Sequence, residues 1–253
     1  MHSKTIAIVN QKGGVGKTTT AVNLAAALAD SGHRTLLIDM DPQGNATTGI
    51  GIDKGSIENS IYEFLLGEIP FIDAVRKTDI EDMDLLPATL DLAAASVDFA
   101  DINERETILR QALSFVDGYE YMIIDTPPSL GLLPINCLAA ANSIIIPMQC
   151  EFYALEGLKQ LEHTIKLMQK SINPDLKLGG ILLTMVDLRA KLFRDVINTI
   201  RKGYGTKVFN TEIPRTVRLA EAPSFGEPII RFDPRHKAAR AYRDFAQEVV
   251  KKC

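Results

Sequence analysis

Between a short apolar run and an alanine-rich stretch the chain reads Gln11-Lys12-Gly13-Gly14-Val15-Gly16-Lys17-Thr18-Thr19. Those residue types at that spacing suit the binding of phosphate. Glycines at 13, 14 and 16 let the backbone turn tightly enough to aim consecutive N–H groups at phosphate oxygens, and the N-terminus of a following helix adds partial positive charge. Lys17 then falls where it bridges the β- and γ-phosphates of a nucleoside triphosphate, Thr18 offers a hydroxyl to magnesium, and Val15 and Thr19 complete the cradle. Two carboxylates follow, Asp39 and Asp41 in Leu37-Ile-Asp-Met-Asp-Pro-Gln-Gly-Asn45, and a third, Asp125, in Ile123-Ile-Asp-Thr-Pro-Pro-Ser129. Each stands at or just beyond the end of an apolar run, where a carboxylate can meet the waters of magnesium and an attacking water. An ordinary glycine-rich turn and a simple Asp turn are the bland alternatives. The run before the loop and the helical pattern after it argue against them.

These residues need elements to hold them. Residues 5–10, 35–39, 121–125, 143–148 and 180–186 are short apolar runs that predict strands. Helical spacing occupies residues 18–30, directly behind the loop, and recurs over 104–116, 154–171, 190–204 and 235–252. Continuous apolar strands alternating with helices imply a parallel sheet covered on both faces, so the predicted fold class is doubly wound α/β with a mostly parallel sheet. Ligands of such sheets bind beyond the carboxyl ends of the strands, and Asn10, Asp39 and Asp125 all fall there.

A chain of 253 residues, 46% hydrophobic and 24% charged, can bury one sizeable core, and no linker or repeat divides it, so one domain over 1–253 is expected. No apolar run approaches the roughly 20 residues of a membrane-spanning helix. The N-terminus passes straight into a strand, so a cytoplasmic location is expected. Cys137, Cys150 and Cys253 are widely separated and suggest neither a disulfide framework nor a zinc site. The net charge of −4 hides an asymmetry: residues 189–253 hold 15 Lys+Arg against 7 Asp+Glu, a balance of +8, leaving −12 on residues 1–188. A basic segment on an acidic body is compatible with a polyanionic partner.

The loop departs from the common Gly-x4-Gly-Lys-Thr pattern, with Gln at 11 and a second lysine at 12. It resembles the deviant Walker A signature Lys-Gly-Gly-x-Gly-Lys-Thr. With Asp-Pro-Gln-Gly-Asn-Ala-Thr at 41–47, Asp-Thr-Pro-Pro-Ser at 125–129 and Ile213-Pro-Arg-Thr-Val-Arg-Leu-Ala-Glu-Ala-Pro-Ser-Phe-Gly-Glu-Pro228, the chain looks like the ParA/Soj chromosome- and plasmid-partition ATPases along essentially its whole length. The resemblance implies a weak ATPase of the deviant P-loop class that uses ATP and Mg2+. Lys12 would be the signature lysine, reaching across an ATP-dependent homodimer as an arginine finger does. Lys12, Lys17 and Asp41 would be catalytic, with Asp41 orienting the attacking water. Thr18, Asp39 and Asp125 would serve the metal, Asp125 through a water. Segments 41–45 and 125–129 would be the γ-phosphate switches. Pro214 and Met185 would lie beside the adenine, and the lack of an Asn-Lys-x-Asp guanine signature favours ATP over GTP. Arg189 and Arg218 match positions where the family contacts double-stranded DNA without sequence preference; Lys191, Arg194, Arg235, Lys237 and Arg240 are weaker candidates. A ParB-like centromere-binding partner would stimulate hydrolysis and release the protein from the nucleoid. No N-terminal helix-turn-helix extension precedes the first strand, so operator-specific repression is not expected.

Three alternatives stay open. A MinD-like regulator of division would need a C-terminal helix that holds lipid, but Ala239, Tyr242, Phe245, Ala246, Val249 and Val250 form a stripe that fits core docking better, so no stable membrane association is expected. An iron–sulfur carrier would need paired cysteines, and Cys137 has no evident second ligand. A partition-like ATPase that positions another cargo would look the same in sequence.

Overall fold

The computed structural model describes residues 3–128, 131–151, 154–187, 189 and 191–253. Ser129, at the end of the second expected switch, lies outside them, as does the side chain of Lys191. Eight strands form one sheet: β1 (Lys4–Ile8), β2 (Thr35–Asp39), β3 (Arg76–Lys77), β4 (Met83–Leu86), β5 (Tyr121–Asp125), β6 (Ser143–Gln149), β7 (Lys177–Val186) and β8 (Val208–Pro214). Their spatial order is β3-β4-β2-β5-β1-β6-β7-β8. Every neighbouring pair is parallel except β3 with β4. This is the doubly wound α/β architecture.

The strands alternate their side chains between two apolar layers. Ile6 and Ile8 of β1 face one layer with the helices Lys17–Asp30 and Lys237–Lys252, while Ala7 faces the other, with Leu109, Leu138 and Leu161. Both faces are covered, as a parallel sheet requires. Residues Ala239, Tyr242, Phe245, Ala246 and Val249 of the last helix are buried in the first layer, so core packing consumes that stripe. No helix among the described residues is long and apolar enough to cross a membrane.

All five predicted strands are present, and three further ones escaped the reading. Strand β4 is Met-Asp-Leu-Leu, a four-residue run broken by Asp84, which is nevertheless buried. Its carboxylate accepts from Lys77 Nζ at 2.8 Å and from Tyr119 Oη at 2.7 Å, supplying the partners a buried charge demands. Edge strand β8 carries Asn210, Thr211 and Glu212 among its apolar residues. Glu248 of the last helix accepts the N–H groups of Asn210 and Thr211 at 2.8 and 2.7 Å, closing an edge that would otherwise be open to another chain. The expected helix over 104–116 shrinks to a 3-10 turn at Arg105–Thr107 and a helix at Ile108–Leu113: Glu104 sits at φ 56, so no helix runs through it, and Thr107, at φ −119 and ψ 8, separates the turn from the helix. The helix Leu132–Ala140 is apolar nearly all round and so offers no periodic face to read.

Candidate nucleotide site

The chain leaves the carboxyl end of central β1 and returns through β2 on one side, while β6 flanks β1 on the other. A crevice forms where the strand order reverses in this way. Parallel register places Asp125 level with Ile8 on one neighbour and with Asp39 on the other. Residues far apart in sequence, Lys17, Asp39, Asp41 and Asp125, thereby gather around one point.

Gly14 and Gly16 have φ of 73° and 90°, values a side chain would resist. The first helical hydrogen bond runs from Thr20 N–H to Gly16 C=O. No side chain caps the helix, and the backbone N–H groups of residues 13–19 donate to no protein acceptor among the described residues. A row of free donors at a helix N-terminus is an anion site. Lys17 is 7% exposed and its Nζ donates to Lys12 C=O at 3.2 Å. Burial lowers its pKa, against the opposing pull of Asp125 and Asp41.

The three carboxylates occupy different environments. Asp39 is fully buried and accepts from Thr47 N–H and Thr47 Oγ1, both at 2.8 Å, and from Asp41 N–H at 3.1 Å. Burial pushes its pKa up to about 6 despite those bonds. Its hydrogen bonds organise the segment that carries Asp41, so its geometry is that of a buttress. Asp41 is 8% exposed and accepts Gln43 N–H at 3.0 Å. Asp125 is at zero exposure, and neither carboxylate oxygen has a hydrogen-bond partner among the described residues. Burial first, then Asp39, raises its pKa well above the carboxylate range, although the nearby Thr18 hydroxyl favours the charged form. Two bare acceptors in a dry site are costly. A hydrated divalent cation brings both positive charge and donors, so Thr18, Asp125 and the Asp39–Asp41 segment fit magnesium.

A cavity of about 640 Å3 opens beside the loop, lined by Gly16, Thr19, Met185, Pro214 and Tyr242 among others. It brings together the residues expected near a base. Met185 stands at φ 51, uncommon for a side chain of that size and a form of strain that collects at ligand sites. Lys12 is half exposed and forms an ion pair with Glu151 of its own chain.

The basic candidates divide into two groups. Arg189 makes a two-pronged pair with Asp187 at 2.8 and 2.6 Å. Arg218 lies between Glu221 (2.9 Å) and Asp233 (3.2 Å), over the Phe232 ring. Arg194, Arg235, Lys237 and Arg240 are exposed and make no ion pair among the described residues. Asn10, which the sequence placed beyond β1, accepts Lys12 N–H at 3.0 Å, while other site residues escaped the sequence reading: Thr47 and Glu151, and Gln149 and Thr184, at or near the ends of β6 and β7. The rule that singled out Asp39 and Asp125, a polar residue closing an apolar strand, would have found Gln149, which ends β6, but not Thr184, which two more strand residues follow.

Comparison with known proteins agrees with this geometry. A family model described as an AAA domain matches residues 3–178. The chain is 53% identical over 248 residues to the sporulation initiation inhibitor protein Soj of Bacillus subtilis, covering 98% of each. It is 51% identical to the chromosome partitioning protein ParA of Myxococcus xanthus, over 98% of this chain and 88% of that one. A Mycobacterium smegmatis structure named cobyrinic acid a,c-diamide synthase, with bound ADP and magnesium, superposes with a TM-score of 0.87 at 40% identity over 99% of this chain and 95% of that one. Such identity across nearly the full length, together with the phosphate loop and its three carboxylates, leaves one conclusion: this chain belongs to the ParA/Soj family of partition ATPases.

Proposed function

We propose that this protein is an ATP-dependent switch that pairs into a homodimer on binding ATP and Mg2+, holds DNA in that state, and lets go on hydrolysis. The observation that carries the reading is the row of N–H groups at 13–19, free among the described residues, facing the same crevice end as the Asp125 carboxylate, which has no partner among them either. Such a site is built for a phosphate chain and its cation.

The residues divide the work. The loop N–H groups and Lys17 hold the β- and γ-phosphates, and the cavity with Met185 and Pro214 takes the adenine. Thr18, and Asp125 through a water, would hold magnesium, which would supply charge neutralisation at the phosphates. Asp41, kept in place by the Asp39–Thr47 bonds, orients the attacking water. Among the described residues the Lys12 side chain is held only by an exposed pair with Glu151, a contact worth about 0–1 kcal/mol and therefore easily exchanged for the nucleotide of a second subunit. A ParB-like partner at a centromere-like site accelerates a slow basal reaction, and the protein is nucleoid-associated while ATP is bound.

Light scattering with saturating ATP and Mg2+ tests this. The wild type is expected to convert to dimer, whereas Asp41→Ala forms a dimer that persists because turnover falls about a thousandfold, a loss of roughly 4 kcal/mol of barrier lowering. A wild type that stays monomeric sinks the reading, and an Asp41→Ala protein with normal turnover removes the catalytic assignment.

DNA contact is sequence-blind and electrostatic, which the +8 balance of residues 189–253 favours. Because Arg218 already pairs with two carboxylates, Arg218→Gln is the cleaner probe than a reversal of charge. It is expected to weaken DNA binding by the ATP-bound dimer about 3- to 10-fold and to reduce the slope of log K against log salt by about 1, read by fluorescence anisotropy at several salt concentrations. Equal loss of ATP binding would mean that the residue serves folding instead.

A further inference from the structure

The phosphate loop is held from outside by two side chains at the neighbouring ends of β6 and β7, which pair Gln149 with Thr184 in register. Gln149 Nε2 donates to Gly14 C=O at 2.9 Å, and Thr184 Oγ1 donates to Val15 C=O at 2.8 Å. These are consecutive carbonyls, and the consequence follows from peptide geometry. In a planar trans peptide the C=O of one residue and the N–H of the next point in opposite directions. Drawing the Gly14 carbonyl outward therefore turns the Val15 N–H inward, and drawing the Val15 carbonyl outward does the same for the Gly16 N–H. Neither N–H group has a protein acceptor among the described residues.

The glycines make such a device necessary. Gly14 and Gly16 flank Val15, and glycine backbone visits positive and negative φ with similar ease, so a loop rich in it has peptide planes that can flip. Unrestrained, a flipped plane would present a carbonyl oxygen to the phosphate and repel it. We propose that Gln149 and Thr184 are positioning residues for nucleotide binding: they clamp the Gly14 and Val15 carbonyls away from the ligand and so aim the Val15 and Gly16 N–H groups into the phosphate cradle before the nucleotide arrives. The Gln149 amide also touches Met185 Sδ at 2.7 Å, which joins the clamp to the wall of the base cavity.

A clamp of this kind stabilises ground and transition states alike, so it governs KM and leaves kcat. The bland account is that Thr184, 2% exposed, needs an acceptor for a buried hydroxyl and that Gln149 merely fills space. Four proteins separate the two: wild type, Thr184→Val, Thr184→Ser and Gln149→Met. Val matches the shape without the donor, Ser keeps the donor with less packing, and Met keeps the length of a partly exposed side chain without the amide. Binding of a fluorescent ADP, and its displacement by ADP, ATP and inorganic pyrophosphate, is measured for each alongside the thermal midpoint. Thr184→Val and Gln149→Met are each expected to weaken all three ligands about tenfold, the worth of one hydrogen bond, with KM for ATP raised in proportion and kcat unchanged. Thr184→Ser is expected to bind within about twofold of wild type, since a net hydrogen bond is retained. The proposal is overturned if Thr184→Ser is as impaired as Thr184→Val, if Gln149→Met binds all ligands normally, or if ADP weakens while pyrophosphate does not. The last result would place the effect in the base cavity.

Discussion

Lys17→Ala is expected to weaken ATP binding by at least about a hundredfold, and ADP binding, which loses only the β-phosphate contact, by about ten- to a hundredfold, while the protein stays folded. The amine is 7% exposed, lies within the loop against Lys12 C=O, and is flanked by Asp41 and Asp125. Hydrogen bonds from a charged donor contribute about 1.5–3 kcal/mol each, and a lysine at this place serves two phosphates. For ATP, losing both contacts therefore removes about 3–6 kcal/mol, or two to four powers of ten in affinity. The fold should survive because burial disfavours the ammonium in the first place, as its lowered pKa records. Calorimetric titration with both nucleotides, beside a thermal melt, checks this. Binding within threefold of wild type would mean that the backbone N–H row alone holds the phosphates.

Asp125→Asn is expected to act in opposite directions on stability and on catalysis. At zero exposure, with two oxygens that have no partner among the described residues, the ionised carboxylate is a liability to the nucleotide-free protein, and an amide of the same shape carries less desolvation cost. A gain of about 2 kcal/mol, or about 4–8 °C in melting midpoint, is expected near neutral pH. The sign of the pH dependence follows from the raised pKa. A proton held more tightly in the folded state stabilises it fully below the ordinary carboxylate range, and that stabilisation is lost as pH rises through the elevated value. The advantage of the Asn variant should thus be widest at high pH and shrink as acid protonates the wild type. With Mg2+ and ATP the order reverses: metal-dependent turnover and Mg2+ affinity fall about 10- to 100-fold, as for loss of a group that holds a metal through its water. Melting curves between pH 5 and 9, with and without Mg2+ and ATP, give the test. An Asn variant less stable than wild type at every pH would show that Asp125 is a structural acceptor.

Much of the site was legible because one phosphate-binding device is contiguous in sequence. Glycines 13, 14 and 16 set the turn, Lys17 and Thr18 follow at fixed offsets, and the helix behind them is short-range structure. Asp39 and Asp125 were legible by position, since each ends an apolar strand. The division of labour between them was not. The sequence reading grouped both as metal carboxylates, whereas Asp39 is tied to Thr47 and Asp41 while Asp125 has no partner among the described residues. That difference depends on which backbone happens to lie opposite each side chain. Arg189 and Arg218 were read as basic positions, and the carboxylates that hold them, Asp187, Glu221 and Asp233, set how much charge each can offer.

The linear order of residues alone settled that this chain cradles phosphate on a doubly wound sheet, because hydrophobic periodicity and glycine conformational freedom act over a few neighbouring residues. Folding in three dimensions settled what surrounds that cradle. Strands β4 and β8 exist because Lys77, Tyr119 and Glu248 satisfy polar groups that local preference counts against a strand. Lys12 meets Glu151, and Gln149 and Thr184 grip Gly14 and Val15, across separations of 139, 135 and 169 residues. Contacts of that range carry no local period, and only the packed sheet brings their partners within hydrogen-bonding distance.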